Sequence, residues 1–198
     1  MDKGYIVKKI FLIIMFTLCL QINAYANMDY ILSAPLGYII AISCHELGHI
    51  AAARFYDAEN IDMKLSYGVP SSVVCNIEKD NIPAFALSGE VGADLCFELA
   101  FSQYKEEETT LNKSILFFAG TDFIRYCIYN FWFDKDNPTA DPTIIHDETG
   151  ISKEMIFSLV LTKSLLNVYR VKSKNNRIVP YFSYDENKYI KISLAYNF

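Results

Sequence analysis

Apolar residues gather in four long runs, and the polar residues inside those runs are few. Leu36 to Phe55 is interrupted only by His45, Glu46 and His49 before Arg54, setting aside small hydroxyl and thiol side chains. Pro83 to Phe101 is apolar apart from Ser88 and an acidic stripe, Glu90, Asp94 and Glu98. Ser114 to Phe133 is rich in Phe and Tyr and carries Asp122 and Arg125. Ile151 to Tyr169 has an apolar middle, with Lys163 standing inside it. All four are long enough for helices, and the first three approach the roughly 20 residues that cross a bilayer.

The intervening segments have a different rhythm. Residues 57–81 hold β-branched and turn residues around Tyr67-Gly68-Val69-Pro70, which predicts a short extended or hairpin insert. Residues 134–150 are polar, with Pro138 and Pro142, and predict a surface or site-forming loop. At the end of the chain Ile190, Ile192, Leu194, Tyr196 and Phe198 alternate with other residues, the period of a strand. Arg177 to Tyr184 is its expected partner in a terminal hairpin. The chain therefore predicts a mainly α, membrane-associated bundle of about four helices, with a short β insert and a C-terminal β-hairpin. Its expected divisions are residues 1–26, 27–170 and 171–198.

Residues 1–26 read as an export signal: Lys3, Lys8 and Lys9, then an apolar stretch from Ile10 to Leu20, then Ala24-Tyr25-Ala26 as a cleavage site. A retained N-terminal anchor is the alternative. Composition agrees with membrane contact, since 52% of the residues are hydrophobic and mean hydropathy is +0.15. Net charge is −5 without a basic block, which leaves nucleic-acid binding no electrostatic footing. Five cysteines occur with no C-x-x-C pair, so a cysteine metal site is not expected.

The chemistry lies in His45-Glu46-Leu47-Gly48-His49. Two of the three histidines stand four residues apart, so on a helix they stack on one face. One Zn²⁺ can bridge them, with Glu46 beside it as the general base that takes a proton from the attacking water. Without a metal, two imidazoles and a carboxylate on an apolar helix would be costly to bury. Asp122 and Arg125, three apart, are close enough to form an ion pair. Lys163 is most simply exposed or snorkelling.

The motif, followed by Ala51-Ala52-Ala53-Arg54, Ala58, Ile61 and Leu65-Ser66-Tyr67-Gly68, resembles the first core helix and β-like insert of the site-2 proteases, which are intramembrane zinc metalloproteases. Ser88-Gly89 is similar to the small-Gly pair of that family's next helix. Asn137-Pro138 with Asp141 loosely resembles its third motif, which lends an aspartate to the metal. The resemblance implies His45, His49 and Asp141 as zinc ligands and Glu46 as base. It also implies substrates that are membrane-proximal or membrane-embedded peptide segments. Asp147, Glu90 and His146 are the competing third ligands. Glu90 belongs to a rival reading, an exported soluble metalloprotease. A second rival is a non-enzymatic envelope protein braced by structural zinc. The acidic stripe reads either as a solvated helix face or as the wall of a polar interior around the metal.

Overall fold

The computed structural model describes residues 28–134, 137–175, 177–184 and 190–196. The export-signal reading and Phe198 lie outside the described residues. Six helices and two antiparallel hairpins make up the rest. Helix α1, Met28–Phe55, rises to the hairpin of β1, Glu59–Ser66, and β2, Val69–Asn76. Only Tyr67 and Gly68 separate the strands, and both have positive φ. That is the backbone of a two-residue hairpin turn whose twist matches the strands, and Gly68 adopts it without a Cβ penalty. The predicted insert is thus present.

Helix α2, Ile82–Glu106, descends beside α1, opened by Pro83 where a missing N–H costs nothing. Thr109 then caps α3, Thr110–Gly120, by accepting a hydrogen bond from Asn112 N at 3.1 Å. The third apolar run does not form one helix. It breaks at Thr121, and α4, Asp122–Ile128, continues into a π-helical turn over Tyr129–Phe133. The polar loop expected over 134–150 contains a helix, α5, Asp141–Thr149. Pro142 opens α5 and Gly150, in the left-handed region, closes it; these two residues mark helix ends as readily as loops. Ser152 caps α6, Lys153–Ser173, and the chain ends on the hairpin of β3, Ile178–Tyr184, and β4, Ile190–Tyr196. Phe182 of β3 is buried against Phe123 and α6, tying the hairpin to the bundle.

Helices α1 and α2 cross almost backbone to backbone. A Cβ on Gly48 would strike the Ser88 carbonyl, and one on Gly92 would strike that of Cys44. Close approach of this kind is what small residues permit between apolar helices. Two apolar clusters flank the crossing. One joins Ala41, Phe97, Phe101, Ile115 and Leu116; the other joins Leu87, Phe123, Ile145, Val160 and Phe182.

The acidic stripe of α2 is not turned toward a metal, and its exposure is graded: Glu90 is buried while the Glu98 side chain is 35% exposed. It faces α6, which runs parallel and offers matching cations. Lys163 donates to both Glu90 and Asp94, and Arg170 forks onto Glu98 through Nη1 at 2.5 Å and Nη2 at 2.7 Å. Lys163 is 2% exposed and Arg170 1%, so the expectation of an exposed or snorkelling lysine is overturned. The physical reason is spacing: Lys163 and Arg170 stand two turns apart, as do Glu90 and Glu98 within a residue. Meanwhile large apolar side chains point outward along the same helices, including Leu95 and Leu99 of α2 and Leu165 and Val168 of α6. Among the described residues one helix, from Ile31 to Phe55, is long and apolar enough to cross a membrane.

Candidate metal centre

Helix α1 delivers His45 and His49 on one face, one turn apart, and both are buried. Their ring planes meet edge to face at 73°. The first residue of α5 delivers Asp141 to the same point. His45 Nε2 lies 3.2 Å and His49 Nε2 3.1 Å from Asp141 Oδ2, and the two nitrogens are 3.1 Å apart. These three donor atoms form the group that could hold a metal ion among the described residues. For bonds of about 2.0–2.1 Å, the edges of a tetrahedral zinc site measure roughly 3.3 Å, close to this triangle.

The imidazoles are oriented by contacts on their far sides. His49 Nδ1 donates to the Phe85 carbonyl at 2.9 Å, and Ser88 Oγ stands 3.2 Å from the same nitrogen. That bond assigns the proton to Nδ1 and leaves the Nε2 lone pair for the triangle. His45 Nδ1 lies 2.7 Å from Asp122 Oδ2. The carboxylate backs the ring on the side away from the triangle. Asp122 also takes Arg125 Nη2 at 3.1 Å, the pair expected from their spacing. Its role beside His45 is the one sequence reasoning missed. The only signal was an aspartate in a Phe-rich helix.

Three further observations bear on whether the residues fit a metal. Two ring nitrogens and a carboxylate oxygen this close need positive charge among them, which protons on the imidazoles or a metal ion can supply. Burial alone pushes the Asp141 carboxyl up, but the two imidazoles outweigh it and hold it down at about 2, so it is an anionic ligand at any physiological pH. Finally, Gly89 of α2 stands over the triangle. A Cβ there would lie 2.5 Å from His49 Nε2 and closer still to His45 Nε2. The missing side chain keeps open the space next to the donors.

Glu46, next to His45 on α1, is 5% exposed, and its Oε2 has no hydrogen-bond partner. A buried carboxylate oxygen without a protein partner is expensive, and beside the triangle it is placed to take the proton of a water. Tyr126 sets its ring edge-on to His45 at 6.0 Å, and the π-helical turn that follows is of a kind found often at functional sites.

The competing third ligands lie elsewhere. Glu90 is spent on Lys163. His146 Nδ1 bonds the Ile151 carbonyl at 2.6 Å at the other end of α5, and Asp147 is exposed. The four described cysteines, Cys44, Cys75, Cys96 and Cys127, are free. Comparison of the chain with protein-family models, with curated proteins and with solved structures finds no match, so the geometry of this centre is what speaks for its chemistry.

Proposed function

We propose that the protein is a zinc-dependent peptidase working within or beside a membrane. The observation that carries this reading is the triangle of His45, His49 and Asp141 with the unpartnered Glu46 carboxylate beside it. Three protein ligands leave a fourth position open, which is the pattern of catalytic rather than purely structural zinc. Zinc held there would acidify a water and polarise a scissile carbonyl. The chain's own residues do the rest. His45, His49 and Asp141 hold the ion, and Asp122 and the Phe85 carbonyl fix the two rings. Gly89 keeps the approach clear, and Glu46 accepts the proton of the attacking water and returns it to the leaving amine.

The membrane part of the proposal rests on the distribution of polarity. Ion pairs lie between α2 and α6 while Leu95, Leu99, Leu165 and Val168 face out along the same two helices, a local distribution that suits an apolar surrounding. Peptide segments in or near the bilayer are the substrates this setting favours, and a helical one must unwind locally to offer its carbonyl.

The test uses the full chain purified from membranes. Glu46→Gln and wild type should each bind one zinc per chain, and the variant should cleave a membrane-peptide substrate at least 100-fold more slowly, the scale of a lost general base. Unchanged cleavage by Glu46→Gln removes the mechanism. A wild-type protein that stays metal-free in excess zinc removes the whole reading. Release by alkaline carbonate would remove its membrane part.

A further inference from the structure

Helices α3 and α6 do not close on each other along their length. A cleft of about 280 Å³ opens between them, floored by Phe97 of α2. Its walls are Leu116 and Phe117 on one side and Val168 and Val171 on the other, with Ser164 and Asn167 as the polar members of the α6 wall. Phe117 and Val168 are exposed at its lips. At one end stand Lys113, in the first turn of α3, and Lys172, in the last turn of α6. The other end stops at Gly120 and Thr121, where α3 breaks. From Lys113 to Thr121 a helix advances about 12 Å, near the ~15 Å depth of one leaflet's hydrocarbon.

The two lysines have little else to hold. Lys113 meets Glu108 at 3.4 Å in a solvent-exposed pair, which is weak. Glu108 is also drawn to Lys174 at 2.6 Å. Lys172 is exposed and forms no ion pair with the described carboxylates, Glu108 being held by Lys174 two residues on. An apolar slot one leaflet deep, with cations at its polar end, complements a chain that is greasy along its length and anionic at its head.

We infer that the α3–α6 cleft binds an anionic phospholipid, with one acyl chain along Leu116, Phe117 and Val168 and the headgroup phosphate between Lys113 and Lys172. This rests on the membrane reading above and is independent of the metal centre. A bound lipid would fill the gap that α3 and α6 leave, beside the Thr121 break that precedes Asp122.

The full chain is reconstituted into phosphatidylcholine vesicles carrying trace spin-labelled phosphatidylglycerol or spin-labelled phosphatidylcholine. The motionally restricted fraction is then compared between labels. Wild type should favour phosphatidylglycerol at least about fivefold, the contribution of a single lysine at an anionic surface. Lys113→Gln/Lys172→Gln should bring the ratio near one. Val168→Trp, which fills the slot, should reduce the restricted fraction of phosphatidylglycerol. A charge-matched control, Lys64→Gln/Lys79→Gln, should keep the wild-type ratio. Equal restriction of both labels in wild type overturns the inference, as does an equal loss of selectivity in the control. A chain that does not co-float with vesicles overturns the membrane reading, and the inference with it.

Discussion

Gly89→Ala is the most direct test of the idea that a space is reserved beside three ligands. The added methyl would start 2.5 Å from His49 Nε2. Ordinary contact begins at 3.4 Å and the nearest nitrogen, His45 Nε2, would lie at 2.4 Å, so helix and imidazoles must separate by about 1 Å. Metal sites tolerate displacements of only about 0.2 Å before bond lengths leave their range. Neither ring can simply retreat. His49 is held at Phe85 and Ser88 on the same helix as Gly89, and His45 is backed by Asp122. Zinc affinity should therefore fall by at least 10–100-fold, the scale seen when ligands are merely mis-oriented. Overpacking should also cost roughly 1–3 kcal/mol of stability. The assay is zinc competition against a chromogenic chelator on the detergent-purified protein, with a thermal melt on the same sample. If Gly89→Ala binds zinc within threefold of wild type while folded, the space over the triangle is not where the metal sits.

Asp141→Ala should abolish zinc binding, whereas Asp147→Ala should leave it intact; zinc-edge absorption on the two variants checks the ligand set. Asp122→Asn should keep the fold but weaken zinc about 10–100-fold through His45, measured by the same chelator competition. Lys163→Met should destabilise the bundle by about 3–5 kcal/mol, because Glu90 and Asp94 would remain buried without a cation. Adding Glu90→Gln and Asp94→Asn to that variant should recover most of the loss, as read by unfolding in mixed micelles. A triple variant no more stable than Lys163→Met would refute the role given to the ion pairs.

Local rules made part of this protein legible from its residues alone. The i, i+4 spacing stacks His45 over His49 on any helix, with Glu46 adjacent, so the heart of the site needs no knowledge of the fold. Tyr67-Gly68 between β-forming runs dictates a tight hairpin, and the alternation from Ile190 onward dictates a strand. What depends on distant partners was open. Asp141 is one of four candidates by sequence because it lies 92 residues from His49, and only the docking of α5 against α2, which carries Asp141 to the α1 histidines, selects it. The Thr121 break, which sets Asp122 against His45, is marked only by Gly120-Thr121-Asp122, a stop and start signal easily lost inside a long apolar run. The acidic stripe of α2 looked the same whether it met water, metal or cations. A charge pattern fixes which face of a helix is polar, but only the packing of α6 decides what that face meets.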